Sequence, residues 1–364
     1  MSDSYEPGST FKIITAATAL EEGVIKDDER FNDPGYIKVG SERIRCWSSV
    51  PHGIQTFEEG MMNSCNPVLA AVGLRLMNKD RGLFYKYIKN FGFGKPTGIT
   101  LPGEAGGLLI PVEQLKEINI ATISIGQGIS VTPIQMITAV SAVANGGNLM
   151  KPLLVKEIRD NNGKVIERFE PQKVRQVISP ETSEKLRRIL EKVVNEGTGK
   201  RAFIDGYRVA GKTGTAQKVG KGGYVPGKYV ASFVGFAPAN DPQVAALVVV
   251  DEPQGYPYYG GTVAAPIFKR VVEDTLHYLG VPKQDTGVEP PEIPGEEKPQ
   301  PREDVEVPDV VGLNLNEARQ KLAEARLEGE TVGQGEKVQN QLPKPGAVVK
   351  EGTTVIIYLD QNNS

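Results

Sequence analysis

The sequence predicts an α+β fold, an antiparallel sheet set between helical layers, followed by a small α+β module. Three observations carry this. Three β-rich apolar runs, near residues 207–216, 229–237 and 243–250, follow one another with short links, which favours antiparallel pairing. Apolar helical patterns lie on both sides of them in the chain. A stretch dense in proline and glutamate, 283–304, then reads as an extended linker that cannot bury a core. The expected organisation is a large domain over 1–282, the acidic Pro-rich linker over 283–304, and a module over 305–364.

The elements follow in order. Residues 9–20 are apolar on most sides (Phe11, Ile13, Ile14, Ala16, Ala17, Leu20), the pattern of a buried helix. Thr132-Pro133 supplies an N-cap and a proline at the first helical position, and Asn145-Gly146-Gly147 stops that helix. Residues 153–169, broken at Asn161-Asn162-Gly163, read as a hairpin. Ser179-Pro180 caps a helix with Leu186, Ile189, Leu190, Val193 and Val194 on one face. Residues 262–279 read as a closing helix. In the module, Val307-Pro308-Asp309-Val310-Val311-Gly312 leads in extended, Asn314 caps a helix with Glu317 reaching back, and 354–359 is β-rich. No second copy of the module appears.

Composition excludes several classes. With 364 residues, 39% hydrophobic and 24% charged, the chain can build a substantial core. A net charge of -3 predicts no nucleic-acid partner and no polybasic membrane surface. The densest apolar run, 244–250, is far too short to span a bilayer, and the start has no secretory-signal character. Cys46 and Cys65 match no zinc or C-x-x-C spacing, and His52 and His277 are too few for a His-rich site, so no metal or cofactor is expected.

Three short patterns carry chemistry. In Ser9-Thr10-Phe11-Lys12, positions i and i+3 share a helix face, so the lysine amine can serve as base for the serine hydroxyl once burial and cationic neighbours keep it neutral. Roughly one S-x-x-K is expected by chance in a chain this long, so the pattern is weak alone. In Ser64-Cys65-Asn66, on a turn between helices, a second hydroxyl can relay a proton, and the amide can hold the lysine and a substrate carbonyl. In Lys212-Thr213-Gly214-Thr215, on a strand, Lys212 is a fixed cation, Gly214 lets a substrate backbone approach, and the Thr213 and Thr215 hydroxyls suit a carboxylate. The backbone N–H groups of Ser9 and Thr215 could form an oxyanion hole.

Each pattern occurs once, in this order, and together they resemble the active site of serine penicillin-recognising enzymes. Tyr5-Glu6-Pro7-Gly8 before Ser9, Gly126-Gln127-Gly128, and Ala210-Gly211 with Ala216 around the third motif are similar to class B penicillin-binding proteins. Val307 to Gly312 and Pro343-Lys344-Pro345-Gly346 resemble a PASTA domain. The combination looks most like the sporulation-specific subtype, with division transpeptidases of Gram-positive bacteria next. The resemblance implies a peptidoglycan D,D-transpeptidase. Ser9 would be acylated by stem peptides ending in D-Ala-D-Ala or by β-lactams, with Lys12, Ser64, Asn66 and Lys212 catalytic, Thr213, Gly214 and Thr215 binding substrate, and no cofactor.

The chain also departs from the pattern. The family's cytoplasmic tip, transmembrane helix, non-catalytic domain and first sheet strands normally precede the S-x-x-K helix. Only eight residues precede Ser9 here, so a fragment with an open sheet edge is expected. The resemblance places full-length relatives on the extracytoplasmic membrane face, with a membrane glycosyltransferase partner reached through the missing region. Cys46 and Cys65 read either as two small buried residues or as a redox pair able to distort the second motif. His52 reads as a turn residue, and Trp47, Phe57, Tyr229 and Tyr256 as packing or cleft-wall residues. Two other readings stay open: a β-lactamase or D,D-carboxypeptidase of the same fold, and an inactive fragment that only binds muropeptide or β-lactam.

Overall fold

A computed structural model of the chain describes residues 2–26, 28–220, 222–293 and 303–360, so 294–302 of the Pro-rich stretch lie outside the described residues. Contacts divide the chain into two compact units, Met1–Lys269 with Asp285–Pro291, and Arg270–Gln284 with Glu292–Ser364.

The first unit is built on a three-stranded antiparallel meander. The outer strand Val244–Asp251 pairs with the central strand Gly223–Ala237, which pairs with the motif strand Ala210–Gly220. Short links allow no other pairing for consecutive strands. Residues 231–237 of the central strand are buried on both alternating faces, as a sheet covered by helices requires. Pro180–Asn195 packs on the motif strand, and Pro133–Ala144 on the central and outer strands. Both helices start as their sequences predict: Ser179 Oγ accepts from Thr182 N, and Thr132 forms a capping box with Gln135. The outer strand has one sheet neighbour among the described residues, and most of it is only half-buried.

The helix Lys12–Glu21 runs on from a 3-10 turn, Gly8–Phe11. Its residues from Lys12 to Ala19 are all buried, which explains the all-round apolar pattern. Phe11 packs against Phe93 with ring centroids 5.2 Å apart, in a core that also holds Phe84 and Phe91. Each fully buried side chain of this size contributes about 1.5–3 kcal/mol. The expected 153–169 hairpin is present but short, Glu157–Arg159 with Val165–Arg168. The expected closing helix breaks at Ala264 into Gly260–Val263 and Ala265–Tyr278. Four four-residue strands also form that sequence patterning did not reveal: Arg30–Asp33 with Gly53–Thr56, and Tyr36–Val39 with Glu42–Arg45. None of the described helices is long and apolar enough to cross a membrane.

In the second unit, Asn314 and Glu317 form the expected capping box on Leu315–Glu324. That helix packs on Glu328–Val332. Thr354–Leu359 is the central strand of its sheet, parallel to Glu328–Val332 and antiparallel to Val338–Leu342. Val307, Val310, Ala318, Leu322, Val355 and Ile357 supply its core.

Candidate active site

The fold brings the three motifs together around one buried lysine. Lys12 is fully buried, and its Nζ donates to the Ser64 carbonyl at 2.7 Å, to Asn66 Oδ1 at 2.7 Å and to Ser64 Oγ at 3.2 Å. The first motif is therefore bound to the second across 52 residues of sequence. Sequence reasoning placed the Lys12 amine against the Ser9 hydroxyl. In the structure the amine is held by three oxygens of the second motif, among them the Asn66 amide oxygen that the sequence suggested. Ser9 Oγ has no hydrogen-bond partner among the described residues.

Burial pushes the Lys12 ammonium down to about 7, partly opposed by the nearby Cys65 and Cys46 thiols. Lys212 is equally buried and is held well below the usual lysine range by burial and then by the Lys12 charge. Its Nζ reaches only the Thr213 carbonyl and hydroxyl, both at 3.4 Å, and no carboxylate pairs with it among the described residues. Thr213 Oγ1 also meets Thr198 Oγ1 at 3.0 Å, and Thr215 Oγ1 accepts from Gly260 N at 3.0 Å, leaving its proton free to donate.

The second motif sits between Phe57–Met62 and Asn66–Lys79, on the interhelix turn its sequence predicts. Ser64 has φ +53°, a left-handed conformation costly for a residue with a side chain. That strain turns its carbonyl and hydroxyl to Lys12. Asn66 opens the second helix and donates from Nδ2 to the Arg45 carbonyl at 2.9 Å.

Gly214 has a packing role that its sequence does not announce. A Cβ there would lie 2.4 Å from Ser232 Oγ, 2.9 Å from Thr10 Cγ2 and 3.0 Å from the Pro7 carbonyl. The glycine lets the motif strand approach the Ser9 turn and the neighbouring strand, since protein fills the direction its Cβ would take. A Gly214→Ala change is expected to cost about 1–3 kcal/mol and to slow β-lactam labelling of Ser9, read by thermal unfolding and fluorescent-penicillin kinetics. Unchanged stability would mean the two segments are not held in contact. Gly126 serves the same turn: its carbonyl accepts from Gly8 N at 3.0 Å, and at φ +82° a Cβ would strike the Gly8 carbonyl at 1.9 Å.

Several neighbours of the site, which the sequence marked only through the resemblance or as packing or cleft-wall residues, have specific contacts here. Glu6 clamps the Ser9 turn by accepting from Gly128 N at 2.9 Å and from Tyr224 O–H at 3.0 Å. Trp47 is 55% exposed, donates to the Asn63 carbonyl at 2.7 Å and meets the Tyr259 ring edge-on at 6.4 Å. Tyr229 stacks on Tyr258 at 4.0 Å, and Tyr256 is mostly exposed beside them. Trp47, Tyr229 and Tyr256 thus line an aromatic wall from the second motif to the third, while Phe57 is buried packing.

Cys46 and Cys65 are both free thiols, and the fold brings them together. It also adds Asp33 and His52, so that one ligand atom from each of the four lies within 4.8 Å of the others. Sequence spacing could not foresee this grouping, because side chains contributed by separate loops have no sequence period. His52 is a satisfied residue, as its sequence position suggests: its Nδ1 lies 2.8 Å from Asp33 Oδ2. Within the pair, the contact with Cys65 draws the Cys46 thiol down to about 6, and the Cys46 thiolate with burial pushes Cys65 up.

Comparison with known proteins agrees with this geometry. A family model described as penicillin binding protein transpeptidase domain matches residues 1–273, and a PASTA domain model matches 305–361. The chain is 45% identical over 362 residues to Stage V sporulation protein D of Bacillus subtilis (strain 168), covering 99% of this chain and 54% of that protein. It is 33% identical to the peptidoglycan D,D-transpeptidase FtsI of Buchnera aphidicola subsp. Schizaphis graminum, over 77% of this chain and 47% of that one. The solved structure of penicillin binding protein 3 from Mycobacterium tuberculosis complexed with ampicillin superposes with a TM-score of 0.72 at 31% identity, covering 79% of this chain and 65% of the other. The chain spans about half the length of these curated relatives.

Proposed function

The chain belongs to the penicillin-binding protein transpeptidase family, and we propose that it cross-links peptidoglycan stem peptides through an acyl-enzyme on Ser9. The observation that carries this is the fully buried Lys12 amine, fixed between the nucleophile helix and Ser64–Asn66. With its pKa drawn down to about 7, a large share is neutral near neutral pH. A neutral amine has two N–H bonds, which the two 2.7 Å contacts take, and one lone pair left to receive a proton.

The steps follow from that arrangement. Ser9 Oγ bonds to the carbonyl carbon of the penultimate D-Ala, and its proton passes to Lys12. The backbone N–H groups of Ser9 and Thr215 hold the oxyanion. The bond to the terminal D-Ala nitrogen breaks as Ser64 donates a proton to it and takes one from Lys12. An acceptor amine then attacks the Ser9 ester, its proton leaves by the same route, and Ser9 recovers its own proton. Lys212, Thr213 and Thr215 hold the terminal carboxylate; burial and the Lys12 charge disfavour the Lys212 ammonium in the empty site, and a carboxylate brought by the substrate would favour it again. Asn66 positions the peptide, and Gly214 holds the strand against the nucleophile turn. A β-lactam would acylate Ser9 in the same way.

The likeness to Stage V sporulation protein D supports a role in sporulation; the extracytoplasmic membrane face and a membrane glycosyltransferase partner are proposed from the family resemblance alone. The proposed domains are the transpeptidase over 1–282, a linker over 283–304 and a PASTA domain over 305–364. The proximity of their sulfurs supports Cys46 and Cys65 as a redox pair.

The test is a reaction of the chain with a pentapeptide stem ending in D-Ala-D-Ala and an acceptor stem. A cross-linked product with release of D-Ala is expected. Release of D-Ala without the dimer would make it a carboxypeptidase, and multiple turnover of penicillin a β-lactamase. No reaction in a folded protein would leave the binding-only reading.

A further inference from the structure

The hairpin of Tyr36–Val39 with Glu42–Arg45 lies beside the second motif, and its side chains take part in none of the steps above. Its two faces differ. Val39 and Ile44 are buried in the core, and the hairpin packs on the helix that Asn66 opens. The other face carries Tyr36, Lys38, Arg43 and Arg45, all exposed. In register, Arg45 lies opposite Tyr36, and Arg43 lies opposite Lys38. Like charges directly opposite each other weaken a ladder. Among the described residues, no carboxylate pairs with any of these three cations.

Three further features make this face a place for an anion. A cleft of about 450 Å3 opens against Tyr36, Arg43 and Arg45; Trp47, Ser48 and Ser49 also line it, and no Asp or Glu does. The Arg43 guanidinium rests over the Tyr36 ring, 4.7 Å from its centroid, which fixes the fork and leaves its N–H donors available. The cleft is also joined to the second motif. The Arg45 carbonyl accepts from Asn66 Nδ2 at 2.9 Å, and Trp47 donates to the Asn63 carbonyl at 2.7 Å.

We propose that Arg43 and Arg45, with Lys38 beside them, form a carboxylate-binding subsite for the donor stem, receiving a carboxylate that lies upstream of its D-Ala-D-Ala end. The proposal rests on the transpeptidase reading and deepens it by naming an acidic stem as the substrate class. The terminal carboxylate goes to Lys212, Thr213 and Thr215, so the upstream part of a peptide positioned by Asn66 is the part left for this face. Arg43 is two residues along the strand from Arg45, about 7 Å, a span that two or three residues of extended peptide cover. Arginine forks match carboxylates with two parallel hydrogen bonds, and a pair of them distinguishes a carboxylate from a carboxamide of the same shape. The cations stay solvent-exposed, so they act in recognition and not in holding the fold.

The test measures D-Ala release by the 364-residue chain from two pentapeptide stems, one with the free carboxylate of its internal glutamate and one with that group as the carboxamide. The kcat/KM is expected to be about tenfold higher on the carboxylate form, mostly through KM, and this preference should shrink as salt rises. Arg43→Gln with Arg45→Gln should bring the two rates within about twofold of each other, while Arg43→Lys should keep part of the preference. The preference is a ratio of two peptides on one protein, so a general loss of activity or stability does not imitate it. Equal rates on both stems in the parent, or a preference untouched by the double variant, would overturn the subsite. A preference that follows only the carboxylate of the acceptor stem would overturn its assignment to the donor. Competition with a fluorescent penicillin separates the subsite from the reading it rests on: both stems should slow labelling of Ser9, the carboxylate form at about tenfold lower concentration. That difference without turnover of either stem would sink the transpeptidase and leave the subsite; turnover of both stems without the difference would do the reverse.

Discussion

A Ser9→Ala chain is expected to form no covalent adduct with a fluorescent penicillin, while the parent chain carries one adduct per molecule on the peptide containing Ser9. Removing the hydroxyl removes the atom that bonds to the carbonyl, and losses of about 10^4-fold or more are usual when a nucleophile is deleted from a serine acyl-transfer site. The same change should leave the fold nearly untouched. Ser9 is half-buried, and its hydroxyl has no hydrogen-bond partner among the described residues, so truncation orphans no donor or acceptor. Stability should move by no more than about 0.5–1 kcal/mol. Mass spectrometry of the labelled peptides together with a thermal melt separates these effects. An adduct that survives in the variant, for instance on Ser64, would remove Ser9 from the nucleophile's place. Loss of the adduct together with loss of the melting transition would leave the assignment to a Ser9→Cys variant, whose thiol should still be acylated, at a different rate.

What was legible in the sequence were features governed by neighbours along the chain. The caps at Thr132, Ser179 and Asn314 are local chemistry, and each is found where its sequence places it. The three long strands are dense in β-formers, and their order follows from short links. The short strands 30–33, 36–39, 42–45 and 53–56 escaped because they are short and mostly polar, with little alternation to read. Their pairing is tertiary, and it is what carries Asp33, Cys46 and His52 to Cys65.

The same division runs through the active site. Ser9, Lys12, Ser64, Asn66 and Lys212 could be singled out as candidates because their motifs are compact. Of their contacts, the hold of Asn66 on Lys12 was readable, and the grip of the Ser64 carbonyl and hydroxyl on the same amine was not. No pattern marks Ser64 for a left-handed backbone, yet that φ is what offers two of its oxygens to Lys12. Gly214 was readable as a place where something approaches closely; only the packing says that Ser232 of the neighbouring strand and the Thr10 and Pro7 side of the nucleophile turn do so.

Replacing Lys12 by methionine should abolish acylation and yet, at acidic pH, raise stability. Methionine is close to lysine in length and can fill the fully buried site without a large cavity. Loss of the base should slow penicillin labelling by about 10^2–10^4-fold. The parent's labelling rate should climb as pH rises through about 7, where Lys12 gives up its proton, and then level off, while the variant's residual rate stays flat. The stability change follows from linkage. Folding draws Lys12 from its usual 10.5 to about 7, a cost on the order of 5 kcal/mol when both states are protonated. Between those two values the unfolded chain carries the extra proton, so the parent gains stability as pH rises through this window; below about 7 the full cost is present. Methionine removes the cost but strips the Ser64 carbonyl and Asn66 Oδ1 of their donor, at about 1–3 kcal/mol each. The two effects leave a small net gain at pH 6 that disappears and reverses towards pH 9. Thermal melts of both chains at the two pH values decide it: an equal stability difference at pH 6 and pH 9 would mean that Lys12 keeps an ordinary pKa, and that the motif geometry does not prepare it as a base.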